Sequence, residues 1–127
     1  MILREKKMFE LRVSTDFSAA HSIRGHMGRC AKLHGHNWKV EALLRSGKLD
    51  KLGMVRDAGE VKDIVRGFVN KNLDHVFLNQ INFFRKNNPS SENIAKFIFS
   101  GLKKILPNLA EVCVSESESV RVAYSKK

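Results

Sequence analysis

The chain has 127 residues, 43% of them hydrophobic. It need not be disordered: its composition suits one ordinary domain with a buried core, and its length excludes a second domain of similar size. No apolar run approaches the roughly 20 residues of a membrane span, and the charged N-terminus, Met1-Ile2-Leu3-Arg4-Glu5-Lys6-Lys7, lacks the apolar stretch of a secretory signal. The expectation is a single cytoplasmic domain over residues 1–127, with no membrane partner and a net charge of +10 that attracts anions.

The first predicted element is a strand from Met8 to His21. Phe9, Leu11, Val13, Phe17 and Ala19 share one parity, and Glu10, Arg12, Ser14 and Asp16 share the other, the alternation of a half-buried strand. A second strand runs from His34 to Arg45, with His34, His36, Trp38, Val40, Ala42 and Leu44 on one face. A loop with Gly47 and Gly53 leads to a helix capped by Asp57, with Glu60 completing a capping-box-like pair. Val61, Ile64, Val65 and Phe68 form its apolar stripe. A second helix follows Asn88-Pro89-Ser90-Ser91, capped by Ser90 or Ser91. Its stripe is Ile94, Phe97, Ile98, Leu102 and Ile105, and Pro107 stops it. Strands at Glu111–Ser117 and Val120–Ser125, joined tightly through Glu118-Ser119, finish the chain. The predicted architecture is α+β, two helices on one face of a four-stranded antiparallel sheet in the order β-β-α-α-β-β. Exposed edges of so small a sheet favour pairing between copies.

The informative residues are polar groups on core-facing parities. His21 continues the apolar parity of the first strand, and His34 and His36 begin that of the second. Residues two apart on a strand point to one side, so His34 and His36 present two imidazoles to one spot. If the two strands pair, His21 supplies a third. Three neutral imidazoles about 2.0–2.1 Å from an ion leave one tetrahedral position open, the pattern of a catalytic zinc. His26 is a rival third ligand, in the loop at Gly25–Gly28.

Of the two cysteines, Cys30 lies four residues before His34 among Arg24, Arg29 and Lys32. Cationic neighbours favour a thiolate, so it reads as a base or nucleophile, with a fourth metal ligand or a small buried hydrophobe as the other readings. Cys113 has the opposite parity to Val112 and Val114 and receives no role. Asp74 and His75 are adjacent after the first helix; they suit a proton-transfer pair or simply a helix end that favours His. Glu116 keeps the parity of Val112 and Val114. A carboxylate there needs a partner, and the N–H edge of a heterocycle would be one.

These features together resemble the 6-pyruvoyl-tetrahydropterin synthase superfamily. The resemblance rests on Phe17-Ser18-Ala19-Ala20-His21, Cys30-x3-His34-Gly35-His36-Asn37-Trp38, Gly53-Met54-Val55-Arg56-Asp57, Leu73-Asp74-His75, Asn88-Pro89-Ser90-Ser91-Glu92-Asn93 and Val114-Ser115-Glu116, in that order. The three residues between Cys30 and His34 resemble the 6-carboxy-5,6,7,8-tetrahydropterin synthase branch of the queuosine pathway. The resemblance implies a tunnelling fold, whose sheets join in threes into a barrel and stack as a hexamer. It implies 7,8-dihydroneopterin triphosphate as substrate, with acetaldehyde and triphosphate released. It also implies Zn2+ on His21, His34 and His36, Cys30 as proton-abstracting base, Asp74 and His75 as a second acid/base unit, Glu116 as the pterin anchor and Glu92 as its assistant. Arg56, Ala58 and the serines at 90 and 91 depart from the usual family residues.

The basic residues are scattered from Arg4 to Lys127 without a block. A nucleic-acid-binding module would account for the charge and leave the histidines unexplained, so nucleic acid is not expected as a partner. A zinc hydrolase would use the three histidines but would not need Cys30.

Overall fold

The structure is a computed structural model and describes residues 7–126. The alternating segments form the two long strands that organise it. Strand β1 (Phe9–His21) pairs antiparallel with β2 (His34–Ser46) in unbroken register, from Phe9 opposite Ser46 to His21 opposite His34. Helix α1 (Ala58–Asn72) follows, then a two-residue strand β3 (Val76–Phe77), a short helix α2 (Asn82–Lys86) and helix α3 (Ser91–Lys103). The chain ends in β4 (Leu109–Ser117), paired antiparallel with β2, and β5 (Val120–Tyr124), paired antiparallel with β4. Sheet order is β3-β1-β2-β4-β5.

The class is α+β, but the sheet corrects the predicted description. It has five strands and is mixed, because β3 runs parallel to β1 beside Ala19 and Ala20. There are three helices among the described residues, with α2 the addition. A strand of two residues is too short for alternation to register, and a helix of five is too short for a 3.6-residue period. β3 exists because the preceding residues dock on the edge of β1: Asp74 Oδ1 accepts the Ser18 N–H at 2.9 Å, and the His75 N–H donates to Ser18 O at 2.6 Å.

The core-facing parity of the sheet buries Val13, Phe17, Trp38, Val40, Ala42, Leu44, Val112 and Val114 against Val61, Val65 and Val69 of α1 and Ile94, Ile98, Phe99 and Leu102 of α3. Each Val, Leu, Ile or Phe side chain among them contributes about 1.5–3 kcal/mol. The helix stripes need small corrections. Ile64 and Phe68 are only partly buried, and Val69 takes the third buried place on α1. Ile105 lies past the end of α3 and is half exposed, because the helix stops at Lys103, before Pro107.

The caps are resolved side chain by side chain. Asp57 accepts the Glu60 N–H at 3.1 Å, but the Glu60 carboxylate turns to Arg56 at 2.6 Å, so no reciprocal capping box forms. Ser90, not Ser91, caps α3 by accepting the Asn93 N–H. Among the described residues, no helix is long and apolar enough to cross a membrane.

Candidate metal centre

The register of β1 on β2 sets the site. It places His21 directly opposite His34, with His36 across from Ala19 on the same face. One donor atom from each of the three rings lies within 4.8 Å of the others. The ring of Trp38 forms the floor, edge-on to His21 and His36 at centroid distances of 4.8 and 5.2 Å. Its indole N–H donates to Ala19 O at 3.2 Å, which fixes it there.

The hydrogen bonds identify which nitrogens face inward. His21 Nδ1 lies 2.7 Å from Pro89 O, and His34 Nδ1 lies 2.7 Å from Lys32 O. A carbonyl only accepts, so each Nδ1 carries the proton and each Nε2 keeps its lone pair. Those two Nε2 atoms face each other at 2.9 Å. Two lone pairs in that position repel unless a cation lies between them. His36 Nε2 is buried and has no hydrogen-bond partner, an orphaned polar atom of the kind a bound ion satisfies. The three side chains therefore fit a metal ion held by imidazole nitrogens, with room for a further ligand.

Glu116 joins this cluster. Its Oε2 lies 3.6 Å from His36 Nε2 and 3.8 Å from His21 Nε2. At those distances the carboxylate faces the cluster without a hydrogen bond to either ring, and its side chain is 31% exposed. Burial holds the His21 imidazole below its ordinary pKa, with the Pro89 carbonyl and Glu116 working against that shift. A lowered value favours the neutral, ligating ring. Beside His36 the surface is open, a shallow depression lined by Ser18, Ala19, Gly35 and Asn37.

The other residues named from sequence stand apart from the triad. Cys30 is a free, half-buried thiol on a single 3-10 turn, Arg29–Ala31, just before β2. The Ile23 N–H donates to its carbonyl at 2.6 Å, tying that turn to the exit of β1. His26 is exposed and spends Nδ1 on accepting the Gly28 N–H at 2.8 Å, which removes it as a rival ligand in this arrangement. Asp74 and His75 sit on the β1 edge at Ser18. His75 is 79% exposed, has a left-handed backbone with φ 57°, and places Nε2 3.5 Å from Asp74 Oδ2. Glu92 is exposed in the first turn of α3. Among the described residues, no hydrogen bond or ion pair joins Cys30, Asp74, His75 or Glu92 to the three histidines. Cys113 is a free cysteine buried on β4, opposite Glu41 and Ala123.

Sequence reading missed the two carbonyls, Pro89 O and Lys32 O, that fix the rings. It also missed the amides of Asn79 and Asn88, which grip the chain just after His21. The Asn88-Pro89 pair was visible before the second helix, but nothing in the local pattern showed how far it reaches.

Comparisons with known proteins place these features in a context. The family model described as 6-pyruvoyl tetrahydropterin synthase matches residues 10–127. An Archaeoglobus fulgidus protein, provisionally named 6-carboxy-5,6,7,8-tetrahydropterin synthase, is 49% identical over 84% of this chain and 86% of its own. A Synechocystis protein named 6-carboxy-5,6,7,8-tetrahydropterin synthase is 35% identical over 85% of this chain and 86% of its own. Among solved structures, the Caenorhabditis elegans 6-pyruvoyl tetrahydropterin synthase superposes with a TM-score of 0.85 at 26% identity, covering 98% of this chain and 100% of that one.

Proposed function

The chain belongs to the 6-pyruvoyl tetrahydropterin synthase family, and from that premise we propose that it is a zinc-dependent 6-carboxy-5,6,7,8-tetrahydropterin synthase of queuosine biosynthesis. Its substrate would be 7,8-dihydroneopterin triphosphate, converted to 6-carboxytetrahydropterin with release of acetaldehyde and triphosphate. The observation that carries the reading is the convergence of three imidazoles whose Nδ1 atoms are committed to backbone carbonyls or whose Nε2 is orphaned. Relatives named for the 6-carboxy activity support that branch, as does the spacing of Cys30 from His34.

His21, His34 and His36 would hold the ion. Zinc, when bound there, supplies Lewis acidity toward the oxygens of the substrate side chain. Cys30 removes a carbon-bound proton as its thiolate. His75, oriented by Asp74, returns or relays a proton. Glu116 grips the N–H edge of the pterin ring, so that the side chain meets the base in one register, and Glu92 assists. Lys and Arg side chains at the mouth of the site hold the triphosphate, which gives the charge of +10 a purpose.

The chain is proposed to act as one domain over residues 1–127 and to assemble through its sheet edges into a barrel of three, two such trimers stacking as a hexamer. One observation favours assembly: the outer strands, β3 and β5, leave edges to be paired.

A second reading, 6-pyruvoyl-tetrahydropterin synthase activity, is favoured by the solved structure of that name with which the chain superposes. Incubation with 7,8-dihydroneopterin triphosphate separates the two. Acetaldehyde released in step with triphosphate is the expected result. A pyruvoyl product without acetaldehyde would overturn the 6-carboxy assignment, and no turnover in zinc-loaded protein would overturn both.

A further inference from the structure

The Asn88-Pro89-Ser90-Ser91-Glu92-Asn93 segment takes little part in the proposed chemistry, yet it lies against a metal-binding ring. Its polar groups form one connected device. Asn88 Oδ1 accepts the Arg24 N–H at 3.0 Å, and Asn88 Nδ2 donates to Arg24 O at 2.9 Å. One amide side chain thereby copies the paired bonds of a β-bridge, three residues beyond His21. On its other side, Asn93 Nδ2 donates to Asn88 O at 2.9 Å, while the Asn93 N–H donates to Ser90 Oγ. Between these two anchors sits Pro89, which is buried, with its carbonyl 2.7 Å from His21 Nδ1.

The two ring-fixing carbonyls differ in how they are held. That of Lys32 is local to His34, two residues before it on the entry to β2. That of Pro89 comes from 68 residues away in sequence, so tertiary structure must deliver it. A neutral imidazole carries its proton on either nitrogen, and the bond made by one nitrogen decides which is free to ligate. His21 is 2% exposed, so no bulk water can take over that role.

Taking the three histidines as the metal site proposed above, we infer that Asn88 and Asn93 are positioning residues for His21. Asn88 ties the segment to the strand exit at Arg24, and Asn93 ties it to the start of α3. Together they press the Pro89 carbonyl onto Nδ1, keep the proton there, and leave the Nε2 lone pair turned toward the ion. Outer partners of this kind set the tautomer and orientation of a ligating ring. Asn79 reinforces the same stretch, accepting the Ser22 N–H and donating to Ser22 O, both at 2.9 Å.

The test compares native chain with Asn88→Ala, Asn93→Ala and a control, Asn87→Ala, whose amide donates to Phe83 O. Zinc affinity is measured by competition with a chromophoric chelator, and the His21 tautomer by nitrogen-15 NMR of the metal-free chain. Expected is a loss of zinc affinity of about 10–100-fold in Asn88→Ala and Asn93→Ala, none in Asn87→Ala, and a mixed tautomer at His21 only in the first two. Asn93→Ala keeps the test decisive if Asn88→Ala does not fold. Native affinity with an unchanged tautomer in either folded variant overturns the inference. A native chain that binds no zinc at all would overturn instead the metal reading beneath it.

Discussion

The histidine cluster and the Asp74–His75 edge are both proposed to do chemistry, and the fold treats them in opposite ways. The cluster is built on two long paired strands. His21 is 2% exposed, and two of its three rings have one nitrogen bonded to a backbone carbonyl. His75 is 79% exposed, has a left-handed backbone, and donates its N–H to Ser18 O, while the Asp74 carboxylate beside it accepts the Ser18 N–H. The difference suits the tasks proposed for them. Ligands to an ion must hold fixed vectors, because misdirected lone pairs do not converge. A group that carries a proton needs access to what it protonates. The structure gives rigidity to the first and exposure to the second, and keeps a strained backbone at the second.

Substitution of His75 by Gly sharpens that contrast most strongly. Turnover of the pterin substrate is expected to fall by about 10²–10⁴-fold, the usual contribution of a positioned acid or base. Zinc content is expected to stay at the native level, since among the described residues no hydrogen bond or ion pair links His75 to the triad. Turnover near native would remove His75 from the mechanism. The same variant should be more stable in urea, by up to about 1 kcal/mol, because a non-glycine residue at φ 57° carries left-handed strain. A lower stability would mean that the His75 side chain packs more than its exposure indicates.

A smaller effect comes from the other region. Burial lowers the His21 pKa in the folded, metal-free chain. At high pH both states are neutral there, and His21 contributes nothing to the pH dependence. As pH falls through roughly 6.5, the unfolded chain takes up the proton first. The folded state therefore loses stability until its own lowered pKa is reached. Urea titrations of metal-free protein at several pH values should show this loss in the native chain and a shallower one in His21→Gln. Equal slopes would show that the ring is not desolvated as the structure has it.

The strand parities made the cluster legible in the sequence. A polar residue on an apolar parity stands out, and His21, His34, His36 and Glu116 all did so. What the pattern left open was whether β1 and β2 pair, and the unbroken register from Phe9 to His21 supplies that. The β1 edge was harder to read. β3 is two residues long and owes its place to Asp74 and His75 docking on Ser18, not to any periodicity of its own. The carbonyls of Pro89 and Lys32 belong to the backbone, which every residue possesses, so no residue type could announce them. Ile105 matched a helical stripe but lies beyond the point where α3 ends. For Glu92 the role came only from the resemblance to a family; for Cys30, Asp74 and His75 the residues left alternatives open between which the resemblance chose, and among the described residues no hydrogen bond or ion pair joins these four to the cluster.

The most direct test is the zinc content of the purified chain after exposure to zinc and desalting, with native protein beside His34→Ala. About one zinc per native chain and almost none in the variant is the predicted result. A native chain that retains no metal, or a His34→Ala variant that retains as much as native, would contradict the convergence of three imidazoles on one ion.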